Sequence, residues 1–271
     1  MLNETFLALQ KEALFTKEVL GAGATQIRKA NYANKGIYFQ AFTSLATGLE
    51  RIGKLCLMLD YYASNGGSFP DFKYLKNEIG HDIELLYERS LEVAARRGVK
   101  FYFLKNLEGE IHKEILKVLS AFAKGDRYSN INLLVNSKQQ GDPVASWVES
   151  VDLPLFQKRV SERKKETIAH NARAMAELTG GLIHVQHTSE TGQEITDVEQ
   201  GSLLTGIQQA VAPYRQLYVI HIIRFWSELL RSIQYTAMEL GKPDIPFFSE
   251  IIAPFVNNDS YIRTRKTWDT L

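Results

Sequence analysis

One cysteine, Cys56, occurs in 271 residues, so the chain can form no internal disulfide and no cysteine-rich zinc site. A lone thiol within an apolar helical pattern fits a small core residue and a reducing compartment. An excess of charge of either sign is also missing. Thirty-two basic side chains stand against 31 acidic ones, for a net charge of +1. A chain whose main task is coating nucleic acid carries a clear basic excess, so that class is disfavoured globally and only a local patch stays open. Long hydrophobic runs are absent too: the most apolar stretch, near 214–240, is interrupted by Arg224, Glu228 and Arg231 and does not read as a membrane span. The first residues carry Glu4 and no basic run leading into an apolar one, so no signal peptide is expected. The expected setting is cytoplasmic, with no membrane partner. Glycine-rich phosphate loops, serine-nucleophile motifs and paired-carboxylate spacings are lacking, which disfavours the common hydrolase and NTPase classes. No cofactor is implied.

What is present is helical. Apolar residues make up 45% of the chain and charged residues 23%, an ordinary globular balance. Residues 4–19 suit an amphipathic helix that Gly21 and Gly23 break. From Gly36, the positions Tyr38, Phe42, Leu45, Leu49, Ile52, Cys56 and Leu59 are spaced alternately four and three apart, which keeps them on one helical face over about six turns. That segment reads as the spine of a bundle. A loop at Ser64–Asp71 follows, then a helix from Gly80-His81-Asp82 to Arg96-Arg97-Gly98, with an acid in its first turn and arginines in its last. Val99–Leu104 is strand-like but isolated. Helical spacing returns over 108–124 and stops at Gly125.

A second half starts after Gln139-Gln140-Gly141-Asp142-Pro143. Asp142 and Asp152 each precede a proline and suit capped helix starts. Residues 154–179 form one long charged segment that Gly180-Gly181 ends. Residues 182–199 suit a short hairpin or a structured loop, and helix resumes from Gln200, is interrupted at Pro213, and continues to Leu240. The tail has a basic end in Arg263, Arg265 and Lys266. The expected fold is an all-α helical bundle with at most one small β element. Residues 1–139 form a first bundle with an N-terminal helix, and 140–271 a helical half packed on it as one continuous core.

The central stretch carries a resemblance. Leu49-Glu50-Arg51-Ile52-Gly53-Lys54 on the long helix, Gly80-His81-Asp82-Ile83-Glu84-Leu85-Leu86 at a helix start, and Asp126-Arg127-Tyr128 at the close resemble the HEPN superfamily over about 36–133. The resemblance implies a HEPN-like helical core and a bacterial stress, toxin–antitoxin or phage-defence setting. Many members are metal-independent RNases with an arginine roughly four to six residues ahead of a histidine, brought together across a dimer, and others lack the pair and act as binding partners. Within 36–133 neither His81 nor His112 has such an arginine, so the unit resembles the non-nucleolytic branch.

Two pairs of comparable spacing occur later, Arg163 with His170 and Arg215 with His221, where roughly one match is expected by chance among six histidines. A neutral imidazole can take a proton from a ribose hydroxyl while a guanidinium stabilises phosphate charge. Arg163 and His170 are seven apart and share a helical face, whereas Arg215 and His221 are turned about 120° from each other. His221 between Ile220 and Ile222 reads as a core histidine, so Arg163 and His170 are the catalytic candidates. His81 and Asp82 are binding candidates at a helix N-terminus, where amides favour anions, with capping as their plainer role. Glu50 and Lys54 join them from the spine, as do Arg127 and Tyr128 where a core helix ends. His184 and His187 are three apart, but nothing enforces a third ligand, and no metal site is assigned. The expected function is a non-catalytic binding module for a partner protein, a nucleotide or RNA. The first alternative is a HEPN-type RNase with a composite Arg163/His170 site in a homodimer. The second is an assembly protein whose apolar 214–240 helix forms a dimer seam through Phe225 and Leu229.

Overall fold

The computed structural model describes residues 3–138, 141–179 and 181–268. Gly180 of the glycine stop, and Gln139 and Gln140 at the start of the second half, lie outside the described residues. The fold is all-α with one two-stranded antiparallel pairing.

Helix α1 (Glu4–Lys29) begins at Asn3, whose side chain accepts from the amide of Phe6, and ends in Arg28 and Lys29. The break expected at Gly21 and Gly23 does not occur. A Cβ on Gly23 would stand 2.7 Å from Cγ of Leu45, and one on Gly48 2.6 Å from Leu20. These glycines let α1 and α2 (Gly36–Ser64) approach closely, and that packing outweighs the roughly 1 kcal/mol of helix propensity each costs. All seven spine positions of α2 are at most 1% exposed.

Beyond the loop, α3 (Phe72–Tyr74) and a wide turn at Leu75–Ile79 lead to Gly80 at positive φ and to α4 (Ile83–Arg96). Residues 99–104 run as an irregular segment, not a strand, with Phe101 stacked on Phe225 at 5.0 Å. Then come α5 (Glu110–Lys124), a 3-10 turn at Asp126–Tyr128, α6 (Ser129–Leu134) and α7 (Pro143–Trp147). Asp142 caps α7 as expected, accepting from the amides of Val144 and Ala145. Asp152 caps nothing: it is buried and turns its carboxylate to Trp147, Tyr38 and Arg215.

The segment expected as one helix over 154–179 is two, α8 (Leu153–Arg159) and α9 (Glu162–Thr179). Val160 adopts an extended conformation and buries its side chain, and the carbonyl and hydroxyl of Ser161 accept from amides of the first turn of α9. After α9, β1 (His187–Thr188) pairs with β2 (Glu194–Ile195), His187 opposite Ile195. Then α10 (Val198–Met238) runs unbroken through Pro213. A helix-interior proline costs about 3 kcal/mol, whereas each fully buried apolar side chain contributes about 1.5–3 kcal/mol. Ile220, Ile222, Ile223, Trp226, Leu229 and Leu230 are all 0% exposed, so burial wins. The chain closes with α11 (Phe248–Ile251) and α12 (Asp259–Thr264).

Helix α10 is the axis of the molecule, contacted by α1, α2, α4, α5, α8, α9, α11 and α12. One apolar cluster includes residues from Leu9 to Trp268, drawn from both halves of the chain. Phe225 and Leu229 are inside it, covered by their own chain, and so do not form the dimer seam of the assembly alternative.

Candidate phosphate-binding groove

The corner between α8 and α9 opens a cleft of about 460 Å³ whose walls carry Arg159, Ser161, Lys164, Tyr214, Ser260 and Arg263. A second cleft, about 320 Å³, lies across α10 at the end of α1, with Arg28, Lys29, Asn31, Tyr32 and Gln208. A third, about 390 Å³, sits between α9 and α10, with Lys164, Asn171, Ser202 and Thr205. The clefts share lining: Gln209 lines all three, Lys164 and Ala210 the first and third, Thr205 the second and third. Together they form a groove around the first half of α10.

No carboxylate lines any of the three clefts, and none of Arg28, Lys29, Arg159, Lys164 and Arg263 has an acidic partner among the described residues. The whole chain carries +1, so subtracting these five positive charges leaves −4 on the rest. Near neutrality thus hides a segregated charge, and clefts lined by one sign of charge focus the field on ions of the other.

Two buried polar networks support the groove. In the first, Arg215 is 0% exposed, and its Nη1 donates to the carbonyl of Ala30 (3.2 Å) and the Tyr38 hydroxyl (3.1 Å) and lies 3.4 Å from Oδ2 of Asp152. Its Nη2 donates to the carbonyl of Gln208 at 3.4 Å. Ala30 and Gln208 both line the second cleft, so one guanidinium ties the end of α1 to α10 there. The Tyr38 hydroxyl donates to Oε1 of Glu190 (3.2 Å), which also accepts from Gln208 Nε2. Two carboxylates thus share one buried arginine. Burial, with help from the Glu190 charge, pushes Asp152 up to about 6 against the opposing pull of Arg215.

In the second network, His112 Nε2 and His221 Nδ1 are 3.1 Å apart, and His221 Nε2 is 3.1 Å from Oδ1 of Asp259, which also accepts from Arg224 Nη2 at 3.0 Å. With Asp259 accepting from His221 Nε2–H, Nδ1 of His221 must accept from His112 Nε2–H, which leaves Nδ1 of His112 as a lone-pair acceptor. That atom is buried and has no hydrogen-bond partner. Burial, the largest cause for both, lowers His112 to about 3 with help from neighbouring His221, Arg159 and Arg224, and lowers His221 to about 4 against the opposing pull of Asp259, so both are neutral. Tyr218 packs against both rings, and its hydroxyl accepts from Nε of Arg159 at 3.1 Å. The network therefore fixes Arg159 in the first cleft, next to Ser260, which follows Asp259. It anchors the groove and does not open onto it through His112.

Among the sequence candidates, Glu50, Lys54 and His81 come together. Oε1 of Glu50 accepts from Lys54 Nζ (2.7 Å) and lies 2.8 Å from His81 Nδ1, which is itself 2.9 Å from Lys54 Nζ. Partial burial opposes its charge, but these bonds outweigh it and hold Glu50 below the usual carboxylate range. Asp82 faces elsewhere: it caps α4 through the amide of Glu84 and accepts from the Ser120 hydroxyl at 2.8 Å. The Arg127 guanidinium lies 5.1 Å from the ring centroid of Tyr128, both exposed. Arg163 and His170 are exposed on α9. Lys164, Ile168 and Asn171 turn one face of α9 to the groove, and at 100° per residue Arg163 and His170 point about 100–130° away from it. Arg215 and His221 belong to the two separate buried networks. His184 is exposed, His187 packs edge-on against Tyr32 at 5.7 Å, and no cluster able to hold a metal occurs among the described residues.

Sequence reasoning did not find the groove. Arg28 and Lys29 lie beyond the helix expected over 4–19 and carry no reading, Lys164 reads as one charge in a polar run, and Arg263 as part of a basic tail. Pro213 was the accessible signal, since a proline in helical spacing removes the donor for the carbonyl four residues earlier, that of Gln209. Compared with family models, with curated proteins and with solved structures, the chain has no match.

Proposed function

We propose that this chain is a non-catalytic binding module for a phosphate-bearing ligand, RNA or a nucleotide, held in the groove around the first half of α10. The observation that carries the proposal is the lining: five cations, no carboxylate among the described residues, and hydroxyl and amide groups beside them. Guanidinium and ammonium groups without acidic partners are what phosphate oxygens require, and desolvated anions of this kind are bound by charge-assisted hydrogen bonds. The HEPN-like resemblance supports the same class, because its Glu50, Lys54 and His81 form one hydrogen-bonded cluster and the unit lacks the arginine–histidine pair. A bacterial stress or phage-defence setting is what that resemblance implies. The RNase alternative would need Arg163 and His170 supplied by two copies of the chain, since neither faces the groove.

The test is binding of a labelled RNA to wild-type protein and to the double variant Lys164→Glu/Arg263→Glu, with the RNA recovered intact in EDTA. Binding lost in the double variant, with intact RNA, supports the module. Equal binding by both proteins would place the ligand elsewhere. Cleavage abolished by His170→Ala would replace this reading with the nuclease.

A further inference from the structure

We infer that the three clefts form one continuous path for a single-stranded nucleic acid, with Gln209 contacting a base at its midpoint. The inference rests on the groove reading above and adds the polymer, its course and a base-reading residue.

Continuity comes first. A mononucleotide needs one cleft, yet these three share walls, and their α10 lining extends from Ser202 to Tyr214, about 18 Å along the helix. Cations line it on both sides of α10, Arg28 and Lys29 in the second cleft and Arg159, Lys164 and Arg263 in the first, with no acid among the described lining residues. The path bends over a convex helix face. A flexible single strand can follow it, whereas a duplex is stiff over about 150 base pairs. Tyr32 lines one end and Tyr214 the other, and aromatic side chains beside a positive groove are the sequence-tolerant stacking partners of single strands.

Gln209 is the second observation. It is the residue common to all three clefts, it is exposed, and its carboxamide has no hydrogen-bond partner among the described residues. Pro213 has no N–H, so the Gln209 carbonyl also lacks its i+4 donor. One residue therefore presents a carboxamide and an unclaimed carbonyl. A carboxamide pairs bidentately with N6 and N7 of adenine, and a carbonyl accepts from an exocyclic amine. Adenine fits both groups and uracil, which lacks that amine, does not.

The experiment is fluorescence anisotropy with the full chain and labelled single-stranded RNAs of two, four, eight and twelve nucleotides, in oligo-A and oligo-U form. Single-stranded DNA, duplex RNA and unlabelled AMP serve as further arms. Affinity should rise at least about tenfold from two to eight nucleotides, and duplex should bind at least about tenfold more weakly than single strand. Lys29→Gln and Lys164→Gln should each reduce the salt slope for the eight-mer by about 0.7, one phosphate contact apiece. Both are exposed and unpaired, so the fold should survive. Gln209→Ala should remove the preference for oligo-A while leaving the salt slope unchanged. Affinity independent of length and matched by AMP would overturn the continuous path but keep a phosphate-binding groove. A duplex preference would overturn the single-strand assignment, and an oligo-A preference persisting in Gln209→Ala would overturn the role of Gln209. Binding of none of these probes would overturn the path and the groove reading together.

Discussion

Arg28 and Arg263, 235 residues apart in the chain, meet where the second cleft adjoins the first: Nη1 of Arg28 donates to the carbonyl oxygen of Arg263 at 2.8 Å. The same nitrogen donates to Oε1 of Gln216 at 2.7 Å, and Gln216 is fully buried and donates in turn to the carbonyl of Ala24. The end of α1, the centre of α10 and the C-terminal segment thus meet at one guanidinium, which ties the second cleft to the first.

Arg28→Ala should lower stability by about 1–3 kcal/mol, because it leaves the buried oxygen of Gln216 without a donor. Urea denaturation checks this. An unchanged midpoint would mean that the tail is not held through Arg28.

The two neutral histidines give a pH dependence with a definite sign. Folded His112 and His221 protonate only near 3 and near 4, whereas an unfolded histidine does so near 6.5. Below pH 6.5 the unfolded chain binds more protons, so the stability these groups contribute is complete above that pH and is lost as pH falls toward 4. Asp152, raised to about 6, works with the opposite sign between its ordinary value and 6. The comparison that isolates the pair is wild type against His112→Gln: the variant should lose up to about 1.4 kcal/mol per pH unit of slope between pH 6.5 and 4. Equal slopes in the two proteins would exclude a buried neutral His112.

Arg215→Met should destabilise by about 3–5 kcal/mol, because it leaves Asp152 and Glu190 buried without their cation. Adding Asp152→Asn should recover part of that loss in a double-mutant cycle. Strictly additive effects would show that Arg215 and Asp152 do not interact.

Much of the scaffold was legible. The seven-residue spine of α2 announces its buried face by spacing alone, and the hairpin at 187–195 and the caps at Asp82 and Asp142 follow from local chemistry. The misses have one physical cause, packing that overrides local preference. Gly21 and Gly23 read as a helix break but stay helical, and Gly23 serves a close approach to Leu45. Pro213 reads as an interruption but is carried through by the burial of α10. Val160 sits in helical spacing but is extended. For the site, Glu50, Lys54 and His81 were legible as a motif and do meet. The groove was not, because Lys29, Lys164 and Arg263 are far apart in sequence, and a net charge of +1 conceals how they segregate.

Leu229→Asp should unfold the chain, at a cost of about 4 kcal/mol or more, since it places an unpaired charge in a fully buried position. Circular dichroism with sedimentation analysis separates this from dimer dissociation. A folded monomer released from a dimer would revive the assembly alternative.

The most direct test of the groove is lysine acylation with and without single-stranded RNA, read residue by residue by mass spectrometry. The account predicts strong protection of Lys29 and Lys164, with Lys76 and Lys105 unchanged. Protection of Lys124, which pairs with Asp82 at the start of α4, together with unprotected Lys29 and Lys164, would contradict it.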